Sequence, residues 1–291
     1  MTAILYSLHT YPVKSCGALQ HDSVHIGPAG LWRDRHWIIV SAQGQMLTQR
    51  TYPQMARIQP SFAGQDLVLH IPGEDSVIIP WESSARTHGT PAHPVTVWSS
   101  QTLGADEGDE AAHALSRFMQ MECRLLRVHA RAERYADTQR VASWRTQHKT
   151  LAPDMAPHHP VGFADGFPFL VTFEASLNEL NDTIQHTGHP AVPMDRFRPN
   201  LVVQGTEPFE EDFMAGLQIG GVTLAFVKPC TRCNLPNVDQ RTGETGPEPG
   251  RTLHAMRLFT EGTLFGCNAV ATGMDQNAIL HTGSQVQVLY A

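Results

Sequence analysis

The sequence predicts a mainly β fold with decorating helices (α+β), arranged as two β-rich units. Short apolar runs rich in β-branched and aromatic residues recur along the chain, punctuated by Gly and Pro. A helical stripe shows in few places, and no internal repeat or low-complexity tract is visible. With 291 residues, the chain can form one large domain or two modest ones, each burying a core without staples.

The first hundred residues carry the runs "AILYSLHTYPV", "HWIIVS", "DLVLHI", "SVIIPW" and "PVTVW", at all-β spacing. Then "GDEAAHALSRFMQ" puts Ala112, Leu115, Phe118 and Met119 on one helical face, with acids in its first turn. A boundary falls near here, giving expected domains 1–122 and 123–291. From Ala130 to Pro160 the chain turns polar and shows no sustained period, so a linker or a flexible flap over a site is expected at 130–160. "FPFLVT" reads as a buried strand, and "EASLNELNDTIQ" as a helix facing inward through Leu177, Leu180 and Ile184. "RFRPNLVVQG", "LQIGGVTLAFVKP", "GCNAVATG" and "SQVQVLY" complete the strands.

Composition excludes several function classes. Hydrophobic residues at 41% and charged residues at 17% describe a globular chain. A formal charge of −7 argues against a nucleic acid partner. The N-terminus lacks a basic region and a small-residue cleavage site, and no apolar run approaches membrane-spanning length, so no membrane and a cytoplasmic location are expected. Five cysteines are an odd number scattered over a long chain, which disfavours a disulfide framework.

Two of those cysteines sit together in "KPCTRCNLPNVDQRTGE", Lys228 to Glu244. A dithiol redox couple wants a helix running through the pair, and Asn234 and Pro236 oppose one. A structural zinc site wants four ligands, and only the distant His254 or Cys267 could join. A single thiolate could instead ligate a redox metal at an open site, with Arg232 beside it, or both thiols could be small buried hydrophobes. The adjacent His158 and His159 read as a solvated pair on a loop.

The same stretch resembles the metal-ligating segment of the MOSC family, the molybdenum cofactor sulfurase C-terminal domains, with C-x-R-C followed by V-D-x-x-T-G. "YPVKSC" and "GLWRDRHWIIV" are similar to the β-barrel domain that precedes MOSC in the mitochondrial amidoxime reducing component and its bacterial relatives. "FADGFPFLVTFEASLNELN" and "RFRPNLVV" fit in the same order, so the resemblance covers nearly the whole chain.

It implies an N-terminal β-barrel-like domain followed by a MOSC β-barrel domain. It further implies a molybdenum cofactor, in which a molybdopterin (pyranopterin) dithiolene holds molybdenum that Cys233 ligates as the catalytic thiolate. Lys14, Ser15, Arg35, Arg198 and Asn200 match the family's cofactor-contacting positions, Asp165 corresponds to a family acid near the pterin, and Thr231 and Arg232 lie next to the ligand, where they could add hydrogen bonds and stabilise its anion. Cys230 becomes a neighbour of the metal, and Cys16 a buried thiol. Where the family has small polar residues after the acid, this chain has Gly166 and Phe167. The implied activity is two-electron reduction of the N–O bond of small N-hydroxylated substrates. Only Cys267 follows Cys233, so electrons are expected from an external electron-donor protein of ferredoxin-like, flavin or cytochrome type. The alternatives are a cysteine persulfide sulfur carrier or transferase of molybdenum cofactor metabolism and a non-catalytic molybdenum cofactor carrier.

Overall fold

The computed structural model describes residues 2–82, 90–275 and 277–290. Among them are helices α1 (Asp109–Met119), α2 (Thr138–Gln147), α3 (Glu174–His186) and α4 (Gly250–Arg257), set around four sheets. The mainly β class with decorating helices is what the strand pattern predicted.

A long sheet organises the second half. From one edge it runs Gln287–Tyr290, Met214–Ile219, Val222–Thr231, Gly262–Thr272, Phe169–Phe173, Leu201–Gln204, Ile4–Thr10 and Leu19–His21, with Leu258–Phe259 pairing off the path. The Phe169–Phe173 and Leu201–Gln204 pair is parallel. Parallel neighbours need a crossover, and α3 supplies it. Leu177, Leu180 and Ile184 of α3 are buried as the sequence spacing predicted, packed with Phe197 and Phe265. Ile4–Thr10 is thus built into the sheet of residues far along the chain, which fixes the segment that follows it.

The other large sheet takes Trp37–Ser41, Cys123–Val128, Ser100–Asp106 and His93–Val97 in that order. It reaches past residue 122, because Cys123–Val128 pairs with Trp37–Ser41. Under it Ala112 of α1 is buried, and Leu115 and Met119 pack in one cluster with Trp37, Leu69 and Leu125. Fully burying such side chains is worth about 1.5–3 kcal/mol each.

The polar stretch 130–160 holds α2, a helix the sequence reading did not anticipate. Asp137 caps it by accepting from the backbone N–H groups of Gln139 and Arg140. Only Val141 and Trp144 of the helix are buried, too few to leave a visible stripe. The Trp144 indole N–H donates to Ala215 O at 2.9 Å, docking α2 on the long sheet. His158 is exposed, as expected, but His159 is buried beneath the same segment with Nε2 3.1 Å from Ala156 O.

Candidate functional site

Where the two large sheets meet, a cavity of about 400 Å³ opens to solvent. Every residue that the resemblance assigns to the cofactor lines it, from Lys14 and Ser15 at one end of the chain to Cys233 near the other. Strain gathers there too. Among the described residues seven non-glycines have positive φ, and four of them (Ser15, Arg35, Trp98 and Arg198, at 65°, 46°, 54° and 56°) line the cavity. Left-handed conformations in residues with a Cβ cost of order 1–3 kcal/mol and cluster where function holds them.

Strand Val222–Thr231 delivers the thiols. Its register against Gly262–Thr272 shifts between Phe226 and Lys228 and again between Pro229 and Thr231. Bulges re-aim side chains next to sites, and here Lys228, Cys230 and Thr231 all reach the cavity lining. Beyond the strand, Cys233 is exposed, and the Leu235 backbone N–H donates to its Sγ at 3.4 Å. Cys230 is buried.

The guanidinium of Arg232 turns to Cys230. Its Nη1 donates to the Cys230 Sγ at 3.1 Å and its Nη2 to Phe197 O at 2.9 Å, while Nε is buried with no partner among the described residues. Arg232 thus bonds the sulfur of Cys230, although Cys233 is its neighbour in sequence.

The turn after the pair explains V-D-x-x-T-G physically. Asp239 Oδ1 accepts from the backbone N–H groups of Arg241 and Thr242 at 3.0 and 2.9 Å, and its Oδ2 accepts from Arg196 Nη2 at 2.9 Å. Those backbone bonds hold its carboxyl below the usual carboxylate range. Gly243, at φ 76°, passes so near Pro53 that a Cβ would lie 3.1 Å from its carbonyl oxygen.

Two arginines frame the floor. The Cζ atoms of Arg35 and Arg198 each lie 4.2 Å from the centre of the buried Tyr11 ring. Arg35 Nη1 donates to Asp34 Oδ2 at 2.6 Å and to Asn200 Oδ1 at 3.0 Å. Asn200 also donates to His9 O at 3.2 Å and accepts from the Leu170 N–H at 3.2 Å, so its amide is occupied in holding strands and Arg35 together. Arg198 Nη1 donates to Gln240 Oε1 at 2.9 Å, but the buried Nη2 has no partner among the described residues. Burial pulls Arg198 down to about 10, with Tyr11 opposing and Arg35 adding to the fall.

Lys14 is buried and pairs with Asp165, whose side chain is 68% accessible because it faces the open cavity. Burial lowers the Lys14 ammonium below its ordinary value, against the pull of Asp165. For Asp165, the surrounding protein disfavours its charge, yet the Lys14 ammonium and the Trp98 indole N–H, 2.8 Å away, hold it well below the usual carboxylate range. Ser15 lines the cavity, its hydroxyl has no hydrogen-bond partner among the described residues, and its carbonyl accepts from Gln49 Nε2 at 2.9 Å. Cys16, one residue on, is fully buried, and burial pushes its thiol up to about 12, which makes it inert.

Several contributors escaped the sequence reading. Arg134 lies in the stretch read as linker, yet its guanidinium donates to the carbonyls of Gly162, Ala164 and Asp165 and so clamps the loop that carries the acid. Gln49 and Gln240 bond each other at 2.9 and 3.1 Å, tying the Ser15 loop to the Asp239 turn. Arg50, Trp98 and Lys228 complete the wall. Of these, Lys228 and Gln240 had a signal, both lying inside the quoted stretch Lys228 to Glu244.

This donor set suits one kind of guest. An exposed thiol offers a soft ligand to a soft metal, and a buried arginine N–H group with no acceptor, beside Lys14 and the Ser15 hydroxyl, fits a phosphate or other anion. Among the described residues no group of three or more His, Cys, Asp or Glu side chains is assembled. Cys267 instead packs on Glu211 O and His254 bonds Thr263, so neither meets the Cys pair.

Residues 2–122 match the MOSC N-terminal beta barrel domain and residues 158–287 the MOSC domain. The chain is 32% identical over 267 residues to mitochondrial amidoxime-reducing component 1 of Mus musculus, covering 89% of this chain and 73% of that protein. The chain belongs to the MOSC family. Another relative, mitochondrial amidoxime reducing component 2 of Bos taurus, is 30% identical over 257 residues, covering 86% of this chain and 71% of its own length. Molybdenum cofactor sulfurase of Danio rerio is 30% identical over 264 residues, which are 87% of this MOSC chain but 30% of the sulfurase. None of the helices among the described residues is long and apolar enough to cross a membrane.

Proposed function

We propose that this chain is a molybdenum cofactor-dependent oxidoreductase that reduces N-hydroxylated compounds, converting N–OH and two electrons plus two protons into N–H and water. The observation that carries the reading is the juxtaposition of the exposed Cys233 thiol with a cation-lined cavity whose buried Arg198 Nη2 lacks an acceptor. When bound, a molybdenum pyranopterin would supply the two-electron redox chemistry of N–O bond reduction. Cys233 would ligate the metal. Lys14, Ser15 and Arg198 would hold the phosphate, and Asp165, kept ionised by Lys14, would accept hydrogen bonds from pterin N–H groups.

Arg232 keeps Cys230 in place beside that ligand, and Asn200 orients Arg35. The names of the amidoxime reducing relatives support the substrate class. Five free cysteines suit a reducing compartment, so we place the chain in the cytoplasm with a separate electron-donor protein. The sulfurase match favours a second reading, in which Cys233 carries a persulfide for sulfur transfer.

Elemental analysis separates the two, followed by benzamidoxime reduction with a reduced viologen as donor. Near-stoichiometric molybdenum with turnover supports the reductase. Cys233→Ala should lose both metal and activity, and Cys230→Ala should be far milder. Equal losses in the two variants, or a protein that transfers sulfur and retains no molybdenum, would refute it.

A further inference from the structure

The cavity lining holds six cationic side chains and one carboxylate, in a chain whose formal charge is −7. Four of the cations are committed to the interior: Lys14 to Asp165, Arg35 to Asp34 and Asn200, Arg198 to Gln240, Arg232 to Cys230. The remaining two, Arg50 and Lys228, have no hydrogen bond or ion pair among the described residues. Arg50 is exposed at the rim and Lys228 half-buried.

Arg50 is nevertheless fixed. Its Cζ lies 3.9 Å from the centre of the Trp98 ring, and Trp98 in turn donates its indole N–H to Asp165 at 2.8 Å. Trp98 occupies the two-residue turn between His93–Val97 and Ser100–Asp106, at φ 54°. Such turns favour Asn or Gly at positive φ, and a bulky aromatic there is strained. The fold therefore holds a costly residue at the mouth, tied to the acid on one side and stacked with a cation on the other. A guanidinium preorganised in this way presents a rigid fork of donors with no acceptor, the geometry that takes a carboxylate bidentately.

Resting on the reductase reading, we propose that Arg50, seated on Trp98, is the specificity residue of an anion subsite at the mouth. The preferred substrates are N-hydroxylated compounds that carry a carboxylate. Lys228 adds to the positive field that draws them in.

The experiment compares benzamidoxime with 4-carboxybenzamidoxime on the molybdenum-loaded protein, wild type against Arg50→Gln. The wild type should favour the carboxylated compound. Arg50→Gln should lower that preference, as a ratio of kcat/KM values, by about tenfold through KM, the effect of one charge-assisted hydrogen bond at a partly solvated site. Calorimetric titration of 4-carboxybenzamidoxime should show Kd rising by a similar factor, and molybdenum content should match the wild type. A wild type that reduces both compounds alike, or a preference that survives in Arg50→Gln, overturns the subsite and leaves the reductase reading standing. Loss of molybdenum from Arg50→Gln also overturns it, by assigning the guanidinium to the cofactor. Reduction of neither compound by the loaded wild type refutes the reductase reading and the subsite with it.

Discussion

Replacing Arg134 by Met keeps the unbranched stem as far as the Nε position and removes the donors that serve Gly162 O, Ala164 O and Asp165 O. Arg134 is 9% exposed, so little water can take their place. Each carbonyl left without a donor costs about 1 kcal/mol, or about 3 kcal/mol for the three. Part of that is returned, because burial disfavours the guanidinium charge and holds Arg134 below its ordinary value. A net loss of about 2–3 kcal/mol is therefore expected, a large share of a typical 5–15 kcal/mol. Urea denaturation reads the loss as a lower midpoint with unchanged slope. Amide exchange localises it: the Phe163 N–H donates to Arg35 O at 2.9 Å, next to the clamped carbonyls, and should lose protection first. Molybdenum content should fall as well, since Asp165 loses its placement against Lys14. Unchanged protection at Phe163 together with stability within about 0.5 kcal/mol of wild type would refute the clamp.

Two further predictions concern sites away from the cavity. Glu211 is buried with Oε1 unpartnered, and burial, only partly opposed by the Ser176 hydroxyl, raises it from 4.5 to about 7. A carboxyl raised on folding binds its proton more tightly in the native state, so stability falls as pH rises from about 4.5 to about 7 and is level above. The fall amounts to about 3 kcal/mol. Glu211→Gln should flatten that slope in denaturation at several pH values and gain stability above pH 7, and a slope equal to wild type would exclude Glu211 as its source. At the end of α1, Gln120 adopts φ 54° as the C-cap, so Gln120→Gly should raise the unfolding midpoint by about 0.5–1 kcal/mol of stability. A loss there would mean that the Gln120 side-chain bond to Arg117 O outweighs the strain.

What was legible in the sequence was local. The stripe of α1 and that of α3 could be read because each buries a continuous face, Leu115 and Met119 in one and Leu177, Leu180 and Ile184 in the other. Helix α2 could not, because Val141 and Trp144 are its whole buried surface and its anchor, Ala215 O, lies 71 residues away. Short motifs carried the residues that line the cavity, since C-x-R-C and V-D-x-x-T-G describe a strand end and a tight turn whose bonds fall within a few residues, as those of Asp239 do. Proximity in sequence does not choose a partner, however: Arg232 sits next to Cys233 and bonds the sulfur of Cys230.

The amino-acid order alone determined the β-rich class, two of the four helices, the thiol pair and the kinds of side chain available to a soft metal and an anion. Tertiary structure decided which of those side chains are free to act. The pairing of Ile4–Thr10 with Leu201–Gln204 brings Lys14 and Ser15 to Arg198, and Asn200 is then used up on Arg35 while the Nη2 of Arg198 is left open. Whether a polar atom is satisfied depends on partners that meet it only after the chain has folded, often across a hundred residues or more. That is why Arg50, Trp98 and Arg134 carry no mark in the sequence and stand out once the cavity is built.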